Sequence, residues 1–230
     1  AQVALARLVR DVNNSIRARV VLLPANSVGD NIIFHAEGGD VVLPLLRQQK
    51  DGEECLSLSD FVKPCGTDYV GAFAVTAGRG IEEIISGYQQ TDDFKALLYQ
   101  SLSDRLAEAA AELLHARVRR EVWGYAPDER IDRQRALRAQ YRGIRPAAGY
   151  PSLPDQSAIF AIEKIVGFTN VGIAVTPNGA MSPASSVSGL MIAHPASRYF
   201  MIGAIAPDQR RDYAARRGIT EEGLSKWLPK

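Results

Sequence analysis

The segment Tyr69-Val-Gly-Ala-Phe-Ala-Val-Thr-Ala77 has the alternating pattern of a β-strand and is rich in small side chains. A short helix is predicted over Glu82–Tyr88. A much longer helix follows, because Asp92 or Asp93 can cap a helix that continues to near Trp123. Long helices packed on a mixed or antiparallel sheet give an α+β architecture, and this is the fold class that the sequence predicts.

Shorter regular elements are predicted on either side of this strand and helix. The further strands are Val20–Leu23, Asn31–Ala36, Gly172–Val175, Val187–Ala193 and Tyr199–Ile205. The further helices are an opening segment that runs through Arg17, then Arg133–Tyr141, Ile159–Val166, Pro207–Arg217 and Glu221–Leu228. Pro24 is expected to end the first strand. Val41–Gln49 fits a strand or a helix, because Pro44 is unsuited to a central strand.

The long helix is expected to be amphipathic. Its core-facing stripe is predicted from apolar residues at helical spacing, namely Leu102, Leu106, Ala109, Leu113 and Val118. Charged residues three and four positions apart share another face, namely Arg105, Glu108 and Glu112.

Composition excludes several classes of protein. The 230 residues are 46% hydrophobic and 23% charged, which is typical of a globular protein, and the formal net charge is +1. Such a balance gives no strong field for nucleic acid or an anionic membrane, and no apolar run is long enough to span a bilayer. Cys55 and Cys65 match no zinc or redox motif, which favours a cytoplasmic chain with reduced thiols and leaves a disulfide between them as the alternative.

A stiff loop, Arg145-Pro-Ala-Ala-Gly-Tyr-Pro151, which we call the proline loop, carries side chains that suit a ligand site. Pro146 and Pro151 fix φ and favour extended geometry before them, while Gly149 permits close approach or a positive φ. A guanidinium can bind a carboxylate through two hydrogen bonds, and a tyrosine ring can cover a flat group. The pattern favours a ligand with an acid at one end and an aromatic group at the other, although loops of this composition are usually connectors.

Several motifs, taken in order, resemble the C-terminal activation domain of cobalamin-dependent methionine synthase. Besides the proline loop they include Pro24-Ala25-Asn26, Leu46-Arg47-Gln48-Gln49, Leu58-Ser59-Asp60-Phe61, Gly71–Gly78, Asp104–Tyr125, Ala180–Gly189, His194–Phe200, Asp208-Gln209, Asp212-Tyr213-Ala214 and Lys226-Trp227-Leu228. The resemblance covers nearly the whole chain. It implies a twisted antiparallel sheet flanked by helices, forming a single domain over residues 1–230, either as a fragment of a longer chain or as a stand-alone relative.

The resemblance also implies a function. The domain would bind S-adenosylmethionine and support reductive methylation of cob(II)alamin to methylcobalamin, as part of or accessory to a methyltransferase. The cobalamin would be carried by the cobalamin-binding domain of methionine synthase, and a flavodoxin or a flavoprotein reductase would supply the electron. Arg-rich segments at 117–120, 130–145 and 210–217 could dock such an acidic partner.

Site residues follow from the same resemblance. Arg145 would bind the carboxylate of S-adenosylmethionine, with the backbone of Ala147 and with Tyr150 and Tyr199 completing the site. Glu108 would face the corrin. No catalytic nucleophile and no metal ligand is expected in this chain.

The sequence departs from the family pattern in ways that favour a second hypothesis. The acid-bearing N-terminal arm that the family pattern predicts is expected to have no counterpart before Ala1, Ala139 replaces an acid, and the segments around Thr176-Pro177-Asn178 and Asp155-Gln156-Ser157 differ. Losing acids near a sulfonium should weaken its binding. The alternative is therefore a non-catalytic docking module that caps a corrinoid protein and recruits its reductase. An ordinary methyltransferase is disfavoured, because the chain has no Gly-rich loop of the expected kind.

Overall fold

The computed structural model describes residues 16–50, 52 and 54–228. The strands are β1 (Arg17–Val28), β2 (Asn31–Ala36), β3 (Gly39–Pro44), β4 (Tyr69–Thr76), β5 (Ala174–Val175), β6 (Met181–Ser182) and β7 (Ser186–Met191). The helices are α1 (Arg79–Gln89), α2 (Asp93–Arg117), α3 (Arg133–Leu137), α4 (Ala158–Val166), α5 (Pro207–Arg217) and α6 (Glu221–Leu224). Single turns of 3₁₀-helix cover Leu58–Phe61 and Phe168–Val171, and a π-helical turn, Val118–Val122, continues α2.

Five strands form one antiparallel sheet in the order β3-β2-β1-β4-β7, and β5 pairs with β6 separately. The predicted α+β class, an antiparallel sheet flanked by helices, is confirmed. Successive side chains of β4 point to opposite faces of the sheet, and both faces are buried. Ala72 and Ala74 pack in the cluster that includes α4, whereas Phe73 and Val75 pack in the cluster that includes α1 and α2.

The predicted stripe of α2 is confirmed only in part, since Leu102, Leu106 and Val118 pack in or against the core and Ala109 and Leu113 do not. Leu113 is 61% exposed and Ala109 is exposed, while Leu102 and Leu106 are only partly buried. The row that lies against the sheet consists of small residues and a histidine four positions apart, namely Ser103, Ala107, Ala111 and His115. Small side chains let the helix axis come close to β4 and β7, so the larger leucines are displaced to the flanks. Val118 is buried as predicted.

The caps of the helices agree with the sequence. Asp92 caps α2 by accepting from the backbone N–H of Lys95 at 3.0 Å. Gly167 and Gly218 follow α4 and α5 in the left-handed conformation, with φ of 66° and 67°. That region strongly favours glycine, so both helices end where the sequence predicts.

Two strand predictions are wrong. The first strand continues past Pro24, since residues 17–24 of β1 pair with β4 and residues 25–28 pair with β2. Pro24 lies where β1 exchanges partners, and a missing N–H disturbs the ladder least at such a point. Tyr199–Ile205 is irregular, because its backbone bonds to the proline loop rather than to a strand: Ile202 donates to Pro151 O at 3.0 Å.

Two further strand predictions are confirmed over only part of their length. Val41–Gln49 is strand only as far as Pro44, at the sheet edge where a proline is tolerated. Gly172–Val175 forms strand only at its last two residues. The predicted opening helix lies outside the described residues except at its end, where Arg17 already belongs to β1. Cys55 and Cys65 form no disulfide with each other.

Candidate functional site

The proline loop lies along the outer edge of β7. Leu190 donates to Pro146 O at 2.9 Å and Ala148 donates to Ser188 O at 3.0 Å, so the loop adds a short rung to the sheet. Gly189 permits this approach, because a Cβ at that position would lie 2.2 Å from Pro146 O. The loop is thus fixed by backbone contacts before any ligand is considered.

The loop presents Arg145 to two carboxylates of α2. Its Nε donates to Glu112 Oε2 at 3.0 Å, and both terminal nitrogens lie 3.3 Å from Glu108 Oε2. Burial by itself lowers the pKa of the guanidinium, but Glu112, Tyr199 and Glu108 outweigh burial and the pKa is raised. Arg145 is therefore a permanently charged, mostly buried group with an ordered orientation.

The other predicted residues surround the same guanidinium. The Tyr199 hydroxyl accepts from the backbone N–H of Arg145 at 2.9 Å. The Tyr150 hydroxyl donates to Glu108 Oε1, and partial burial together with this hydrogen bond raises the pKa of Tyr150 to about 12. Ala147 is buried and contributes to the wall of the site. The structure thus brings all five predicted site residues together.

These residues line a cavity of about 400 Å³. Its wall is mostly apolar and aromatic, with Arg145 and Glu108 as the charged groups; the remaining lining residues include Pro146, Pro151, Ser152, Tyr199, Phe200 and Met201. Small-molecule sites are commonly apolar clefts of this size with a few placed polar groups. The arrangement suits a ligand that combines a carboxylate with a flat ring.

A second cavity, of about 740 Å³, meets the first at Glu108 and Tyr150. It lies between α2 and the start of β7, and Asp104 lines it one helical turn before Glu108. Asp104 accepts hydrogen bonds from Gln100 at 2.8 Å and from Ser185 at 2.7 Å. Glu108 therefore lines both cavities.

Sequence reasoning missed three contributors to the site. Phe200 and Met201 line the first cavity, and Glu112 holds the Arg145 Nε. The helical spacing placed Glu112 on the face of Glu108, but it gave no sign of a partner 33 residues away. The backbone of Phe200 is fixed by Ser152, whose hydroxyl donates to the Phe200 carbonyl and accepts from its N–H at 3.1 Å.

The three histidines that the sequence offered as candidates do not lie together. His35 and His194 are exposed and His115 is buried in α2. Among the described residues, no group of three or more His, Cys, Asp or Glu side chains is arranged to hold a metal ion. Within the same residues, no helix is long and apolar enough to cross a membrane.

Comparison with known proteins adds two findings. A family model described as "Vitamin B12 dependent methionine synthase, activation domain" matches residues 1–218. A solved structure of the MetH reactivation domain bound to AdoHcy is 37% identical to this chain, with a TM-score of 0.85. The match covers 98% of this chain and 76% of the other.

Proposed function

The chain belongs to the activation-domain family of vitamin B12 dependent methionine synthase, and we propose that it binds S-adenosylmethionine and supports reductive methylation of cobalamin. The single observation that carries the proposal is the meeting of two cavities at Glu108 and Tyr150, one of them holding the oriented cation Arg145. We further propose that residues 1–230 act as one activation domain, joined to or associated with a cobalamin-binding domain.

The first cavity fits S-adenosylmethionine by the chemistry of its walls. Arg145 offers its terminal nitrogens to the carboxylate, as a guanidinium pairs well with a carboxylate. Tyr150 and Tyr199 offer aromatic surface, and Ala147 lines the same cavity. The likeness to a structure with bound AdoHcy supports this assignment, because that ligand shares the adenosine and amino-acid ends of S-adenosylmethionine.

The second cavity would receive the partner domain. Glu108 and Asp104 place carboxylates on this side, which suits polar groups at the face of a corrin. The nucleophile for methyl transfer would come from the cobalamin of the partner domain. This chain would contribute proximity and orientation rather than a nucleophile or a general base of its own.

We propose that an acidic flavodoxin or flavoprotein reductase docks on the arginines around the end of α2, in the cytoplasm. The exposed members of this patch are Arg117, Arg120, Arg130, Arg133, Arg135, Arg138 and Arg142. Their charge would steer an acidic partner. The third Arg-rich segment contributes less, because Arg216 and Arg217 are bound to groups of the fold itself.

Two observations favour the alternative function, a docking module that binds no substrate. Arg145 already has two carboxylate partners within the chain, and Ala139 stands where the family resemblance expects an acid. If the Arg145 guanidinium served only its ion pairs with Glu108 and Glu112, the site would have no cation to bind a ligand carboxylate.

Calorimetric titration with S-adenosylhomocysteine and S-adenosylmethionine separates the two functions. We expect the wild-type chain to bind both ligands and Arg145→Ala to lose about 2–3 kcal/mol of binding free energy, as for hydrogen bonds to a charged group. Arg198→Ala is the matched control, because Arg198 is exposed and pairs with Glu54 outside the first cavity. Unchanged affinity in Arg145→Ala would refute the carboxylate assignment, and absence of binding to the wild type would favour the docking module.

A further inference from the structure

The two carboxylates that hold Arg145 are attached to the protein in different ways. Glu112 accepts from Nε at 3.0 Å. Glu108 bridges both terminal nitrogens with one oxygen at 3.3 Å. The terminal nitrogens form the edge that a ligand carboxylate would engage in paired fashion. Glu108 therefore occupies the position that the ligand needs, and Glu112 does not.

Glu112 is anchored to a buried stack of side chains. The Tyr141 hydroxyl donates to Glu112 Oε2 at 3.2 Å. The ring of Tyr141 lies against the guanidinium of Arg119, with 4.0 Å between the guanidinium carbon and the ring centre. Arg119 is 1% exposed and pairs with Glu129 at 2.6 Å. This chain of contacts fixes Glu112, and through it the orientation of Arg145.

Glu108 is held by different partners, although its side chain is exposed about as much as that of Glu112, at 28% against 26%. Its second oxygen accepts from Tyr150, whose side chain is half exposed at the junction of the two cavities. Among the described residues, the side-chain partners of Glu108 are Arg145 and Tyr150, and both lie on the proline loop. A ligand carboxylate at the terminal nitrogens would place three anions around one cation. Repulsion among them is relieved most easily by the movement of Glu108.

We propose that Glu112 is the positioning residue of the site and that Glu108 is an exchangeable partner, replaced at Arg145 by the carboxylate of the bound ligand. This inference rests on the proposed function. The exchange releases Glu108 toward the second cavity while its hydrogen bond to Tyr150 is kept. Occupation of the first cavity thereby prepares Glu108 for the partner domain, and by linkage a group that binds Glu108 in the second cavity strengthens ligand binding in the first.

The test compares two ligands, one with an amino-acid end and one without it. S-adenosylhomocysteine carries the carboxylate and the ammonium of that end, and methylthioadenosine keeps the thioether and the adenosine but lacks both charged groups. Both are titrated calorimetrically into the wild-type chain, Glu112→Gln, Glu108→Gln and the control Glu121→Gln, whose exposed side chain pairs with Arg117 away from the site. Methylthioadenosine also reports whether each variant retains a folded site.

We expect Glu112→Gln to bind S-adenosylhomocysteine about tenfold more weakly, a change of about 1.4 kcal/mol, with methylthioadenosine unaffected. Glu108→Gln, which removes the competing charge, should bind S-adenosylhomocysteine at least as tightly as the wild type. Equal losses in the two variants, or a loss of both ligands in Glu112→Gln, would overturn the inference while leaving the proposed function intact. Failure of the wild type to bind S-adenosylhomocysteine would instead overturn the proposed function and this inference with it.

Discussion

His115 is a neutral residue at the buried end of α2. Its side chain is fully buried, and its Nε2 lies 3.3 Å from the hydroxyl of Tyr125. Burial, together with the charges of Arg119 and Arg145, lowers the pKa of His115 to about 2. A neutral imidazole here keeps positive charge away from the pair that Arg145 makes with Glu112.

The pKa of His115 predicts how stability depends on pH. In the unfolded chain the residue has its ordinary pKa of 6.5, so below that pH the unfolded state binds a proton that the folded state does not. Stability is therefore lost as pH falls from 7 to 5, by about 2 kcal/mol at 1.36 kcal/mol per unit.

Urea unfolding of wild type and His115→Gln at pH 7 and pH 5 measures this dependence. The variant cannot titrate at this position, so its loss of unfolding free energy between the two pH values should be smaller by about 2 kcal/mol. An identical loss in both proteins would assign the pH dependence to other groups.

At the scale of elements, the site depends on how closely the proline loop approaches β7. A Cβ on Gly189 would lie 2.2 Å from Pro146 O and 2.7 Å from Ala147 Cα. Both are backbone atoms, so the loop itself would have to move. The close pairing of the loop with β7 therefore requires a residue without a side chain at position 189.

We expect Gly189→Ala to lower the free energy of unfolding by about 1–3 kcal/mol, as overpacking does, and to abolish binding of S-adenosylhomocysteine. Gly87→Ala is the control, because a Cβ at that position in α1 meets nothing within 4 Å and alanine is the better helix former. Urea unfolding and titration check both variants. Similar effects from the two substitutions would contradict the role given to Gly189.

At the scale of the whole molecule, the C-terminal helices are tied to the segment that follows the proline loop. Asp155 is buried; it accepts from the Tyr213 hydroxyl at 2.7 Å and pairs with Arg217 Nε at 3.2 Å. Burial and the neighbouring Asp155 raise the pKa of Tyr213. Asp155 thus has a structural role, and α5 is held against the segment that supports the site.

Removing the Asp155 carboxylate should lower the stability of the fold, because Arg217 would lose its buried partner. We expect Asp155→Ala to lower the free energy of unfolding by about 3–5 kcal/mol. Glu54→Ala, which breaks the exposed pair with Arg198, should change it by less than about 1 kcal/mol. Thermal and urea unfolding give both values, and a small effect of Asp155→Ala would show that the helices are held mainly by the apolar cluster around Leu46 and Tyr213.

The amino-acid sequence by itself determined the features that depend on neighbouring residues. Alternation in Tyr69–Thr76, the cap at Asp92 and the left-handed glycines after α4 and α5 all act within a few positions of the chain. The proline loop and the candidate role of Arg145 belong to the same class, because the local residue types already specify a cation on a stiff loop.

Only the tertiary structure decided which face of α2 is buried and which partners Arg145 has. Both depend on contacts between residues far apart in sequence: α2 lies against β4 and β7, and Arg145 meets Glu112 across 33 positions. Helical spacing places Glu108 and Glu112 on one face, but it cannot say what lies opposite them. The order of the strands in the sheet brings the proline loop to that face, and this order is fixed by packing of the whole chain rather than by local propensity.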